Sequence, residues 1–323
     1  MQLSRSHATL IGCIAPICWG MSVPFVRLVS EHIGQPGGMI LLCGLACVIL
    51  ACIFGCPRLS HFSGKYLFFG LTTAVACEIC FTWALALSGG GTQTAEAGMV
   101  NYLWPCLTMV FAVIFNGQKA KWWIVFGFIS CIYGVCTVLS GPGGFDFMAM
   151  ARNMESNPAC YLFALGSALS WAAYSSITRA LSHGANPVVL IFFINTCVFI
   201  AMAAAGVGEP MHIDLEGGVV VAVAAVVMGL AYALWTIGMM NGNMTVLAVV
   251  SYFTPVLSCI FCWMFLGAEL SANFWKGVGF VVAGSLICWA STVFAKPKVL
   301  KKPEAFFKTS GFGTTSEGGA VNA

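Results

Sequence analysis

Long apolar stretches alternate with short polar connections along the whole chain. Ten of them run to about twenty residues, the length at which an α-helix crosses the hydrocarbon core of a bilayer. They are Ala8–Val29, Gly37–Gly55, Lys65–Leu87, Thr92–Asn116, Lys121–Ser140, Pro158–Leu181, Pro187–Gly206, Gly217–Met240, Thr245–Leu266 and Phe274–Phe294. The longest connection, Gly141–Asn157, is glycine-rich and then polar. It parts the chain into two sets of five. The pattern predicts an all-α polytopic membrane protein with ten transmembrane helices. A first five-helix unit occupies 1–145, a loop follows at 146–157, a second unit occupies 158–295, and a basic tail runs from 296 to 323. That tail turns Gly/Ser/Thr-rich, a composition that cannot bury enough apolar surface to order itself. The first apolar stretch is too long for the core of a signal peptide and has a counterpart later in the chain, so it belongs to the fold.

The two units are related in sequence. Tyr102 and Tyr252 lie 150 positions apart, as do Pro105 and Pro255, Leu107 and Leu257, Gly117 and Gly267, Gly127 and Gly277, and Gly134 and Gly284. Earlier in each unit the offset is 152, pairing Trp19 with Trp171, Arg27 with Arg179 and Trp83 with Trp235. A two-residue gap reconciles the offsets. Chance likeness between apolar helices is a poor account of so many matches at one unbroken shift. With five spans per unit the second must lie upside down, so the expectation is a pair of inverted five-helix repeats. Such repeats are characteristic of secondary transporters, with the substrate at the interface between them.

Composition excludes a soluble domain. Hydrophobic residues make up 59% of the chain and charged residues only 8%, against about a quarter charged in soluble proteins. The positions of the charges matter more than the net value of +3. With the N-terminus in the cytoplasm, every one of the 14 Lys and Arg residues falls on the cytoplasmic side except Arg27, Arg152 and Lys276. By the positive-inside rule both termini are cytoplasmic. No basic patch suggests nucleic acid. Most of the 16 cysteines lie within apolar runs and read as packing residues. Cys77-Glu78-Ile79-Cys80 has CxxC spacing but no second pair or nearby histidine, so no metal is expected. No nucleotide loop, HExxH or GxSxG occurs, so the sequence implies no cofactor and no enzyme, and transport would be driven by gradients.

Chemistry concentrates in Glu96–Leu107, where a carboxylate, an amide, a phenol, an indole and a proline fall within three helical turns. Pro105 has no N–H, so the carbonyl of Asn101 loses its helical partner; Pro255 does the same to Ser251 in the weaker copy Val249–Leu257. Pro16 and Pro24 are expected to kink the first helix. Glu78 and Glu96 are the ionisable residues placed well inside spans, where a charge is costly. Each reads either as a partner for a substrate ammonium or proton, or as a neutral carboxyl bonded to a neighbouring helix. Trp171 with Tyr174, and Tyr232 with Trp235, are spaced i, i+3 and share a helix face. With Trp19, Tyr102 and Tyr252 these mid-span aromatics predict either core packing or a pocket for flat apolar groups.

Two five-helix inverted halves resemble the drug/metabolite transporter superfamily of EamA type. The run Glu96–Leu107, with Asn116-Gly-Gln-Lys119 and Ser251–Ser258, is similar to its bacterial aromatic amino-acid exporters. The likeness covers roughly residues 5 to 295. It implies inner-membrane export of phenylalanine, tyrosine and tryptophan from a cavity between the halves. Onto that cavity the matching runs carry Glu78, Glu96, Asn101, Tyr102 and Tyr252, with Ser251 as a freed carbonyl. Trp19, Trp171, Tyr174, Tyr232 and Trp235 join by helix-face reasoning. The expected partners are an amino acid, the lipid bilayer and a coupling proton. A broad-specificity amino-acid or metabolite exporter, or a cationic-drug exporter, of the same superfamily is the alternative within transport; a membrane receptor or scaffold is the alternative outside it.

Overall fold

The computed structural model describes residues 4–182 and 186–295. The basic tail lies outside the described residues, as do both ends of the chain. All regular structure among the described residues is helical. Helix α1 (Arg5–Gly20) is capped by the Ser4 hydroxyl, which accepts from the His7 amide. It meets α2 (Ser22–Ile33) at a 41° bend. The bend falls one turn before Pro24, which leaves the Gly20 carbonyl without a helical donor. Pro16, expected to kink the same span, sits inside α1 without ending it.

Next come α3 (Gly37–Phe54) and a widened turn at Tyr66–Gly70 that runs straight into α4 (Leu71–Ala86). Helices α5 (Gly91–Asn101) and α6 (Trp104–Phe115) are one span broken just before Pro105. Helix α7 is Ile124–Leu139. The connection expected to be loop holds a helix, α8 (Phe147–Ser156). Asp146 nucleates it by accepting from the amides of Met148 and Ala149 at 2.8 and 3.2 Å. The chain continues through α9 (Pro158–Leu181), α10 (Val188–Ala204) and α11 (Leu215–Asn241). Helices α12 (Met244–Ser251) and α13 (Thr254–Leu266) form a second span broken before Pro255, and α14 is Ala272–Val293.

Among the described residues, six segments are long and apolar enough to cross a membrane, seven if α1 and α2 form one bent span. The remaining expected spans are harder to recognise by length and hydropathy. Helices α7 and α10 have 16 and 17 residues, and α9 has 24 but carries serines, tyrosines and Arg179. Large side chains such as Val48, Ile114, Phe126, Leu162 and Phe193 point outward and exposed. A water-soluble protein rarely shows so much apolar surface; a bilayer covers it.

Packing is organised by antiparallel pairs. On α7 and α14, Gly127 lies against Gly284 and Gly134 against Gly277. These glycines let the two backbones touch, a close approach that replaces the hydrophobic effect in lipid. The Cys131 thiol and Ser130 hydroxyl donate across the same seam to the carbonyls of Val281 and Phe280. Helices α3 and α10 also run antiparallel, as Cys47 near Val189 and Gly44 near Thr196 show. The α1–α11 contact, where Gly12 touches Gly238, has a counterpart in α4–α9.

Candidate functional site

A cavity of about 230 Å³ lies between these helices near the two broken spans. The breaks bring their own residues to it: Asn101, Tyr102 and Trp104 from the first, Ser251 and Thr254 from the second. Helix α1 adds Trp19, α4 adds Glu78, α9 adds Trp171, and α11 adds Tyr232 and Trp235. The rings hold one another. Trp19 meets Tyr232 edge-on at 5.7 Å and Trp235 at 5.0 Å, while Trp104 meets Trp171 edge-on at 5.8 Å.

Sequence reasoning left Ser22, Cys77, Phe81, Trp104, Ser167, Met228 and Thr254 out of the expected site, and all seven line the cavity. Most of them carried a readable signal, such as Met228, four residues from Tyr232. Phe81 is three residues from Glu78 and Ser167 four from Trp171, so each shares a helix face with a residue already singled out. Cys77 and Ser167 also join α4 to α9, with Sγ and Oγ 3.4 Å apart.

Three expected site residues do not line the cavity. Tyr174 meets Trp171 at a tilt, with ring centroids 5.4 Å apart, but belongs to a separate cluster with Tyr66, Phe62 and Leu190, behind the cavity wall. Tyr252, at the second break, is buried on the side of Cys106, Cys131 and Cys288. Glu96 starts the second turn of α5, five residues or about 7.5 Å of helix from Asn101. It is 8% exposed and bonded to Tyr161 and Asn153 instead.

Glu78 has no hydrogen bond or ion pair among the described residues, and no Lys, Arg or His lines the cavity. Most lining hydroxyls are already committed. Ser22 donates to the Trp19 carbonyl and Ser251 to that of Ala248. Thr254 donates to the Ser251 carbonyl at 2.7 Å, answering the group that Pro255 sets free. The uncommitted donors are the Asn101 amide, the Tyr232 hydroxyl and the indole N–H groups. The arrangement is a carboxylate and neutral donors set in an aromatic box. It suits an ammonium next to a flat apolar group. No metal-ligand cluster occurs among the described residues.

A helical bundle that exposes apolar surface and encloses a polar-and-aromatic cavity at broken spans defines a membrane transporter. The chain belongs to the EamA-like transporter family, which it matches twice, over residues 7–140 and 158–290. It is 38% identical over 291 residues to the aromatic amino acid exporter YddG of Salmonella typhimurium, covering 90% of this chain and 99% of that one. Against YddG of Escherichia coli strain K12 the identity is 37% over 290 residues, with the same coverage. A solved crystal structure superposes with TM-score 0.59 at 24% identity, covering 88% of this chain and 99% of the other, and shares the fold.

Proposed function

We propose that this chain exports aromatic amino acids across the bacterial inner membrane, by alternating access at the cavity between its two halves. The observation that carries the reading is Glu78: an intramembrane carboxylate, unpartnered among the described residues, in a box of indole and phenol rings. A substrate ammonium is the group such a carboxylate lacks. The amino-acid carboxylate would take the Asn101 amide and the Tyr232 hydroxyl, and the rings would enclose the side chain. The YddG relatives, aromatic amino acid exporters by name, agree with that substrate class.

The same reading takes the chain as ten spans in two inverted repeats. Support comes from the antiparallel pairing of equivalent helices. Gly127 touches Gly284 while Gly277, 150 positions on from Gly127, touches Gly134. One contact is the image of the other under exchange of the halves. The two family matches divide the chain at the same place. With both termini cytoplasmic, α8 faces the outside. Reporter fusions at residue 2, within α8 and at residue 310 test this: the two end fusions should report cytoplasm and the α8 fusion the opposite side. Ends on opposite sides would remove the inversion.

One observation favours a cationic drug as the alternative substrate: among the described residues, the cavity lining offers no cation to a carboxylate. Trp171→Ala bears on the choice of amino-acid side chain. It should weaken phenylalanine and tryptophan transport more than alanine transport, since a buried aromatic contact is worth about 1 kcal/mol, roughly a fivefold change. Equal losses for large and small amino acids at unchanged expression would assign Trp171 to packing.

A further inference from the structure

We propose that Glu96, Tyr161 and Asn153 form a proton-binding latch that holds the α8 end of the cavity shut. The proposal rests on the transport reading above. Helix α5 packs on α9 and α13, across the seam between the two halves. For the cavity to reach the α8 face, α5 must part from them. The Glu96 cluster lies on this seam. Tyr161 of α9 places its hydroxyl 2.6 Å from Glu96 Oε2 and 3.1 Å from Asn153 Oδ1, and Asn153 of α8 donates from Nδ2 to Glu96 Oε2 at 3.1 Å.

Backbone groups fix how each amide points. Asn153 Nδ2 also donates to the Leu139 carbonyl, so its Oδ1 must face Tyr161. Gln93 Oε1 accepts from the Gly89 amide, so its Nε2 donates to the Tyr161 oxygen at 3.3 Å. Asn157 Nδ2 donates both to the Leu87 carbonyl and to Gln93 Oε1. The Tyr161 hydroxyl therefore has one proton and two acceptors for it, Glu96 and Asn153 Oδ1. With Glu96 ionised, only one of the two Tyr161 oxygen contacts, to Glu96 Oε2 or to Asn153 Oδ1, can hold a proton. With Glu96 protonated, its own proton bonds the Tyr161 oxygen and the Tyr161 proton bonds Asn153 Oδ1. The closed cluster then has a proton in both Tyr161 contacts and carries no buried charge.

The other groups around the cluster do not supply the proton. From α2, Arg27 is committed to Glu31 at 2.6 Å and to the carbonyls of Leu85 and Ala86. From α9, Cys160 donates to the Ala84 carbonyl. Helices α4 and α7 end there with carbonyls only, and Glu269 beyond α13 is tied to Thr92 through its backbone. A polar recess lined by Gly89–Gln93, Asn153, Ser156 and Asn157 reaches Glu96 from the α8 face. Opening the seam hydrates Glu96 and Asn153 alike and removes the need for the extra proton. The closed form thus binds the proton more tightly than the open one, and acid on the α8 side favours closure.

The test is counterflow of labelled phenylalanine in proteoliposomes of the full chain, with pH varied on the α8 side only. Wild-type counterflow should slow by about fivefold or more from roughly pH 8 to roughly pH 6, the usual scale of a coupling between two sites. Glu96→Gln cannot titrate, and its neutral amide can donate to the Tyr161 oxygen as the protonated acid does, so its counterflow should stay near the slow acid-side rate at every pH and lose the pH dependence. Tyr161→Phe removes the hydroxyl that shares the proton and should also flatten the profile; it gives the same reading should Glu96→Gln fail to fold. A wild-type rate indifferent to pH on that side overturns the latch. So does Glu96→Gln or Tyr161→Phe with the wild-type profile. Absence of phenylalanine counterflow at every pH would instead sink the transport reading on which it rests.

Discussion

Glu78→Gln should leave the protein folded and weaken its hold on every amino acid roughly 10- to 150-fold. The amide is nearly isosteric and removes a costly intramembrane charge, so insertion and packing should not suffer. Binding should, because a charge-assisted bond to the substrate ammonium contributes about 1.5–3 kcal/mol. All amino acids share that ammonium, so the loss should be uniform across side chains, unlike the loss from Trp171→Ala. Phenylpropionate, which is phenylalanine without the ammonium, supplies the control. Its binding should be weak to the wild-type protein and unharmed by Glu78→Gln. Thermal-shift titration of both ligands against both proteins gives the four values. Equal affinities of wild type and Glu78→Gln for phenylalanine would return Glu78 to a purely structural role.

The second large effect is on stability. A Cβ added at Gly134 would come 2.6 Å from the Gly277 carbonyl and 2.8 Å from the Val281 nitrogen. Both are backbone atoms of a packed helix and cannot swing aside. Gly134→Leu should force α7 from α14 and disturb the cross-helix bonds of Ser130 and Cys131. The expected loss is about 1–3 kcal/mol or more, read as a lower melting temperature and a poor yield of monodisperse protein. Gly279 provides the comparison, since it sits on α14 with nothing within 4 Å of an added Cβ. Gly279→Leu should be tolerated. Equal tolerance of both substitutions would mean that α7 and α14 do not meet as described.

Much of the arrangement was legible in the sequence, because hydropathy and proline act locally. Pro105 and Pro255 each mark a broken span, and the breaks do fall just before them. Mid-span aromatics at i, i+3 spacing pointed to faces, and Trp19, Tyr232 and Trp235 meet at one wall. Depth along a helix was harder to read. Glu96 and Asn101 share a short run, yet α5 begins only at Gly91, so Glu96 belongs to the helix end and its polar cluster. Face sharing also has a limit: Tyr174 touches Trp171 but looks away toward Tyr66. Helix α8 escaped notice because it follows a glycine-rich stretch. Its signs were present in the cap Asp146 and in Phe147, Met150 and Met154, which recur at helical spacing.

The central claim is that this cavity carries aromatic amino acids. Its most direct measurement is counterflow of a panel of labelled amino acids into proteoliposomes preloaded with unlabelled phenylalanine. Phenylalanine, tyrosine and tryptophan should accumulate transiently, well above alanine, lysine and glutamate, and Glu78→Gln should abolish the difference from empty liposomes at low substrate. Transient accumulation of an aromatic cation lacking a carboxylate, with none of the three aromatic amino acids, would contradict the account.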